Sequence, residues 1–229
     1  MILQKNVNSS TSPLNLSRGF ICIASLNRAD ELRKFLTSLK AFNKEPVLTL
    51  WADNRVHAHL LKTKIAQLSP FLSTVQIDTD ILVNGNLKYL FEVAERKKIG
   101  AFIPTMLPDD IRRLNSGVLC YNTRQFLPLS MAWEKEFLEC TKRKHNSMDQ
   151  GFIGKLLVPE RAAGNIEILP EIYNFCLKEY KDGTSGLDEV KDFHKIKIFH
   201  FFTSHYYAPF GLPDSDIADC YSYQKFNKL

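Results

Sequence analysis

The chain has 229 residues, of which 45% are hydrophobic and 24% are charged, and this length and balance suit one hydrophobic core. Its 10 glycines, 10 prolines and 11% aromatic residues exclude a disordered or collagen-like protein. The 5 cysteines are scattered without a Cys-x-x-Cys pair, and the net charge of +5 is too small for a dedicated nucleic-acid binder.

Residues 1–17 are rich in Asn, Ser, Thr and Pro, which predicts a polar N-terminal arm ahead of a single domain over residues 18–229. An apolar run at 20–24 is typical of a buried strand, and apolar residues spaced by three and four predict a helix over 29–42. Strands are also predicted at 47–51, 74–79, 101–104, 117–122 and 198–202, and helices at 59–68, 87–97, 124–142 and 149–157. This alternation predicts an α/β domain with a largely parallel sheet covered on both faces.

The predicted strand at 74–79 leads into Asp78-Thr79-Asp80. Residues two apart in an extended segment project to the same side, so both carboxylates can face one cation at the strand end. Strand ends are also where parallel α/β sheets bind ligands. A second triplet, Asp214-Ser215-Asp216, follows a turn-like stretch with no strand before it, and we interpret it as a solvated loop.

Further motifs accompany the first triplet. Lys64 lies on a predicted helix and precedes the apolar strand that ends in the triplet. The later segments are Asn115-Ser116-Gly117-Val118, Asp149-Gln150-Gly151, Leu169-Pro170 with Tyr173-Asn174, and Phe199-His200-Phe201. In this order the segments resemble the glycogenin-like family of retaining glycosyltransferases. Five segments in one order are much harder to obtain by chance than any one of them.

The resemblance implies a single-domain GT-A fold, which is Rossmann-like, with a mostly parallel mixed sheet flanked by helices on both faces. It implies transfer of a hexose from a nucleotide sugar, usually UDP-linked, with retention of the anomeric configuration. It also implies a divalent cation, commonly Mn²⁺ or else Mg²⁺, with Asp78, Asp80 and His200 as its ligands. His205, and less directly His57 with His59, are alternative histidine ligands.

The same resemblance assigns roles to the donor-binding residues. The main chain of Ser25, Leu26 and Asn27, at the end of the first strand, would hold the base, and Lys64 would add positive charge beside the phosphates. Asp149 and Gln150 would be the catalytic pair near the anomeric carbon. The remaining donor-binding residues would be Asp78, Thr79, Asp80, Asn115, Ser116 and Gly117.

Some of these residues also suit a purely structural role. His200, flanked by aromatic residues, also suits a hydrogen-bonded core histidine, and Asp149 also suits a helix N-cap. The alternative function is a non-catalytic module that binds a sugar nucleotide or a glycan on the same fold. A haloacid-dehalogenase-type phosphatase is disfavoured, because Leu82 occupies the position where that motif requires Thr or Val.

The expected partners are a nucleotide-sugar donor and an acceptor that is a glycan, a lipid-linked glycan or a protein. No segment has the roughly 20 apolar residues that cross a bilayer, and no signal peptide is recognised. We therefore expect a cytoplasmic protein with reduced cysteines. The basic clusters Arg96-Lys97-Lys98 and Lys142-Arg143-Lys144-His145 would permit peripheral contact with an acidic membrane surface.

Overall fold

The computed structural model describes residues 16–96, 98–103, 111, 114–142, 149–176 and 193–201. Strands and helices alternate through this part of the chain, as the hydrophobic pattern predicts. The strands are β1 (Leu16–Ser25), β2 (Val47–Ala52), β3 (Phe71–Ile77), β4 (Ile81–Val83), β5 (Ile99–Phe102), β6 (Asn115–Asn122), β7 (Ile166–Ile168), β8 (Phe175–Cys176) and β9 (Ile198–His200). The helices are α1 (Ala29–Phe42), α2 (Arg55–Thr63), α3 (Ile65–Leu68), α4 (Lys88–Glu95), α5 (Thr123–Lys142) and α6 (Asp149–Ala162).

Six strands form the main sheet, in the order β2-β1-β3-β6-β5-β7. β1 is parallel to both β2 and β3, and β5 is parallel to β7. β6 is antiparallel to its neighbours β3 and β5, so it alone runs against the other strands. The predicted α/β fold with a mostly parallel mixed sheet is therefore confirmed.

The core lies on both faces of this sheet. Successive residues of a strand project to opposite faces, so Phe20 and Cys22 of β1 pack with α1 and α4, and Ile21 packs with α3 and α5 around the buried Trp133. Because both faces are covered, the central strands β3 and β6 are buried along nearly their whole length rather than at alternate residues. Burial raises the pKa of Cys22 to about 12, which agrees with a packing role for this thiol.

A second, three-stranded sheet has the order β4-β9-β8. β4 follows Asp80 directly and is antiparallel to β9, with Ile81 opposite His200. β8 is parallel to β9, with Cys176 opposite His200. The small sheet thus fixes the end of β9 beside the segment that follows β3. β4, β8 and also β7 of the main sheet were not predicted, because runs of 2 or 3 residues are too short to show a period, whereas the 3 residues of β9 lie within a longer apolar run.

Several boundaries differ from the predictions. The helix predicted at 59–68 is two helices that meet at Lys64, and the first begins at Arg55 because the Asn54 side chain accepts a hydrogen bond from the His57 amide at 2.9 Å. β3 ends at Ile77, so Asp78 and Thr79 follow the strand rather than ending it. β1 begins two residues before the predicted start of the domain, and residues 1–15 lie outside the described part.

Membrane contact gains little support from the described residues. None of the described helices combines the length and the apolar character needed to cross a bilayer. In the first basic cluster, Arg96 pairs with Glu167 at 2.7 Å and the Lys98 ammonium donates to the Gly164 carbonyl. Both cations are therefore engaged within the protein, and residues 143–145 of the second cluster are not described.

Asn43 joins the end of α1 to the turn that precedes α4. Its buried side-chain amide donates to the carbonyls of Leu39 and Gly85, at 3.1 and 3.3 Å. Its Oδ1 accepts from the Leu87 amide at 2.9 Å. One side chain therefore bonds to backbone groups of two segments, and it supplies the acceptor for the buried Leu87 amide.

We expect Asn43→Ala to lower the free energy of unfolding by about 1–3 kcal/mol, because the buried Leu87 amide loses its acceptor. Urea denaturation measures the change. The control is Lys44→Ala at the exposed neighbouring position, which should stay within about 0.5 kcal/mol of the unchanged protein. Equal effects of the two substitutions would contradict this account of the junction.

Candidate metal centre

Two strands bring the three predicted ligands together. Asp78 and Asp80 lie just after β3, and His200 ends β9. One ligand atom from each lies within 4.8 Å of the others. Main-chain hydrogen bonds fix this arrangement, because the Asp78 amide donates to the Gly117 carbonyl at 2.9 Å and the Phe201 amide donates to the Asp80 carbonyl at 3.0 Å. The group therefore has defined backbone positions.

The two carboxyl groups have different environments. Burial raises the pKa of Asp78, and the positive charge of Lys62 only partly opposes this. Burial also acts to raise the pKa of Asp80, but the hydrogen bond and the charge of His200 outweigh it, so this pKa lies below its ordinary value. The His200 Nε2 atom is 3.4 Å from Asp80 Oδ1. Each carboxylate thus has a different basic neighbour.

Lys62 is the basic partner of Asp78. Its buried ammonium donates to Asp78 Oδ2 at 2.9 Å. Lys64 instead pairs with Glu134 of α5 at 3.2 Å. Residues two apart on a helix do not face the same side, so only one of the two lysines can reach the carboxylates. The structure therefore brings Lys62 to the site, rather than the predicted Lys64.

The other ring nitrogen of His200 contacts a buried amide. Nδ1 lies 2.9 Å from Oδ1 of Asn174, and Nδ2 of Asn174 donates to Oδ1 of Asn115 at 3.0 Å. The same oxygen accepts from the Gly117 amide at 2.8 Å. All three side chains are less than 5% exposed. Asn115, predicted to contact the sugar, therefore directs its carbonyl oxygen towards the protein interior.

Gly117 makes room for the histidine ring. A Cβ atom at this position would lie 2.2 Å from Cε1 of His200, far closer than two carbon atoms can approach. The pairing of β6 with β5 also shifts here, from Leu119 opposite Ala101 to Asn115 opposite Phe102. This irregularity lets the start of β6 leave regular pairing beside the site.

The remaining predicted donor residues follow the same edge of the sheet. Because β1 and β3 are parallel, Ser25 at the end of β1 lies on the edge where Asp78 follows β3. Ser25 Oγ donates to Asn27 Oδ1 at 2.6 Å, and Leu26, in the 3₁₀ turn between them, is 79% exposed. Thr79 is buried between the two aspartates.

Two predicted catalytic residues are described only in their backbone. Asp149 and Gln150 form the first turn of α6, and their side chains lie outside the described residues, as does all of His205. The alternative histidines lie elsewhere, on α2: His57 Nδ1 is 3.2 Å from Asp53 Oδ2, and His59 accepts from Arg55 at 3.3 Å. Neither belongs to the ligand group of the described residues.

The donor set fits a divalent cation. Two carboxylates and one imidazole offer oxygen and nitrogen ligands of the kind that Mn²⁺ accepts. Lys62 donates a hydrogen bond to Asp78, and the two aspartates repel each other in a buried setting. A divalent cation between Asp78, Asp80 and His200 would relieve that repulsion.

Comparison with solved structures identifies the fold. The galactosyltransferase LgtC, solved with donor and acceptor sugar analogues, shares 15% identity and a TM-score of 0.58, over 81% of this chain and 87% of LgtC. The glycosyltransferase GlyE of Streptococcus pneumoniae TIGR4 shares 15% identity and a TM-score of 0.64, over 83% of this chain and 55% of GlyE. Mouse xyloside xylosyltransferase 1 shares 15% identity and a TM-score of 0.54, over 82% of this chain and 98% of the xylosyltransferase chain.

The chain has the GT-A fold of these glycosyltransferases. No protein-family model matches the sequence, and no curated protein matches it. At 15% identity or less the likeness extends to the fold alone. The assignment to the glycogenin-like family is not confirmed by these comparisons.

We expect Lys62→Met to lower the free energy of unfolding by about 1–3 kcal/mol, because Asp78 loses the partner that balances its charge. Methionine keeps most of the apolar stem, so the charge is the main change. Lys64→Met is the matched control, and loss of its more exposed pair with Glu134 should cost less than about 1 kcal/mol. Urea denaturation of both variants checks the difference, and the reverse ranking would contradict it.

Proposed function

We propose that this chain is a divalent-metal-dependent glycosyltransferase that moves a hexose from a nucleotide sugar, UDP-linked, to an acceptor with retention of anomeric configuration. One observation carries the proposal. Ligand atoms of Asp78, Asp80 and His200 lie within 4.8 Å of one another at the edge of a GT-A sheet. The donor and acceptor sugar analogues in the LgtC structure support this class of substrate.

We assign the cation to Asp78, Asp80 and His200, with Mn²⁺ as the preferred ion and Mg²⁺ as the alternative. When bound there, a divalent ion supplies stabilisation of the negative charge that the leaving nucleoside diphosphate acquires. Lys62 places its ammonium 2.9 Å from the carboxylate of Asp78. We therefore assign the charge beside the phosphates to Lys62 in place of Lys64.

The donor then lies along the carboxyl edge of β1 and β3. We assign its base to the main chain of residues 25–27, where the 3₁₀ turn after β1 leaves Leu26 exposed. The sugar is assigned to the start of β6, residues 115–117, whose backbone is fixed beside Asp78 by the bond from the Asp78 amide to the Gly117 carbonyl. Thr79, which is buried between the two aspartates, is also assigned to the donor site.

Asp149 and Gln150 are proposed to face the anomeric carbon from the start of α6. A carboxylate there would stabilise the positive charge that develops on the sugar, and the departing phosphate would accept the proton of the acceptor hydroxyl. Retention then needs no separate base. The acceptor is proposed to be a glycan, a lipid-linked glycan or a protein, any of which offers such a hydroxyl.

Release of nucleoside diphosphate from a panel of nucleotide sugars, with and without Mn²⁺, tests the proposal without the acceptor. We expect metal-dependent release from one UDP-sugar. Asp80→Asn should reduce it at least about 100-fold, because a charged ligand becomes neutral while the shape is kept. His200→Ala should weaken Mn²⁺ binding, and the same change at His205 should not.

Glu136→Gln is the control, because it makes the same acid-to-amide change at an exposed position on α5. It should leave release unchanged. Full release without a divalent ion, or from Asp80→Asn at low Mn²⁺, would refute the metal assignment. Tight binding of a nucleotide sugar with no release in the presence of acceptor extracts would favour the non-catalytic module.

We expect a donor with an α-linked sugar to give an α-linked product, and NMR of the new linkage measures this directly. Asp149→Asn should lower kcat by about 100-fold or more while donor and Mn²⁺ binding persist, because the loss falls on the transition state. A β-linked product would exclude retention and make Asp149 a candidate base instead.

A further inference from the structure

The buried amide network behind His200 has a direction that one backbone group determines. The Gly117 amide is always a donor, so the Asn115 side-chain atom 2.8 Å away is its carbonyl oxygen. That oxygen can only accept, so the Asn174 atom 3.0 Å from it is the NH₂ group. The other atom of the Asn174 amide, which faces His200 at 2.9 Å, is then the carbonyl oxygen.

This direction decides which nitrogen of His200 carries the proton. A carbonyl oxygen accepts only, so His200 Nδ1 must be the N–H donor. A neutral ring then has an unprotonated Nε2, which is the nitrogen 3.4 Å from Asp80. We propose that Asn115 and Asn174 are positioning residues that hold His200 in the tautomer whose Nε2 lone pair faces the two aspartates.

The opposite tautomer, with its proton on Nε2, is also favoured by an interaction in the site. The carboxylate of Asp80 is an acceptor beside Nε2, and in the absence of the network it would favour a proton on that nitrogen. An N–H group at Nε2 has no lone pair for a cation. The network therefore opposes an interaction that would block the site. The inference rests on the proposed function for the use of the lone pair, but the tautomer itself is a property of the metal-free protein.

Packing holds the network in place. Asn174 and His200 belong to neighbouring strands of the small sheet, because Asn174 precedes β8 and β8 pairs with β9. Asn115 begins β6 of the main sheet. The amide chain thus links the two sheets at the site. Since the ring edge at Cε1 lies against the backbone of Gly117, the ring has little space in which to turn over.

NMR of metal-free protein with ¹⁵N-labelled histidine tests the tautomer directly. The two nitrogens of a neutral imidazole have different shifts according to which is protonated, and spectra recorded over a rising series of pH values identify the neutral form. The spectrum of His200→Gln identifies the His200 signals by their absence. We expect wild-type His200 to be protonated at Nδ1. A neutral ring with its proton on Nε2 overturns the proposal, and this result is obtained on the wild-type network.

Two substitutions of Asn174 test the cause. Asn174→Leu fills a similar volume but offers no acceptor, so the proton should move to Nε2 and Mn²⁺ affinity should fall about 10–100-fold. Asn174→Asp keeps an acceptor for Nδ1 and should keep the wild-type tautomer. Asn43→Leu is the matched control, because it also removes a buried amide with several hydrogen bonds but lies outside the site. It should leave both the tautomer and the Mn²⁺ affinity unchanged.

Mn²⁺ affinity is read from the free-ion signal in electron paramagnetic resonance, without donor. An unchanged tautomer in Asn174→Leu, or an equal loss of Mn²⁺ affinity in Asn43→Leu, overturns the positioning role. The expected tautomer in a wild-type protein that binds neither Mn²⁺ nor a nucleotide sugar would refute the proposed function and leave the network standing. Tight Mn²⁺ binding by a protein whose neutral His200 carries its proton on Nε2 would overturn the network proposal and leave the proposed function standing.

Discussion

Two carboxylates on one buried turn are the constraint around which this structure is arranged. Asp78 and Asp80 follow β3 with an oxygen of each within 4.8 Å of the other, and their mutual repulsion in a setting of low polarity must be offset by positive charge or by protonation. Lys62 brings an ammonium to Asp78 from α2, and His200 of β9 lies 3.4 Å from Asp80, where it completes a ligand set for a cation. A helix before β3 and a strand more than 100 residues after it are therefore held in place for one electrostatic reason.

The two sheets divide this task. The main sheet fixes the carboxylates, since β6 runs against its neighbours and so brings its first residues, not its last, to the carboxyl edge of β3. The small sheet fixes the histidine, because β4 continues from Asp80 and pairs with β9. A fully parallel sheet would place the first residues of β6 at the opposite edge. The reversal of this one strand is thus what puts Asn115 and Gly117 behind the histidine.

The sequence carries the fold more fully than the site. A clear apolar period placed α1 at residues 29–42, and the strand runs were recognised wherever they exceed about four residues. The direction of β6 could not be predicted, because a strand buried on both faces has the same composition in either direction. Lys62 and Lys64 look alike in the sequence, and which one points at Asp78 depends on the face that α2 turns towards the end of β3. Asn174 was visible as part of a motif, but its contact with His200 depends on a register between short strands.

The charge that serves the site is local and owes little to the net charge of +5. Several cations of the described surface are paired with carboxylates: Arg18 with Glu95, Lys64 with Glu134, Lys88 with Glu92 and Arg96 with Glu167. Exposed pairs of this kind are screened by salt within about 10 Å, so they add little to the field at Asp78. Lys62 is buried at 2.9 Å from that carboxylate, where screening is weak. Among the described residues, attraction of an anionic donor to this edge would therefore owe more to the Lys62 ammonium, and to a cation held by the aspartates and His200, than to the paired surface charges. A change in those surface charges should alter it less than a change at Lys62.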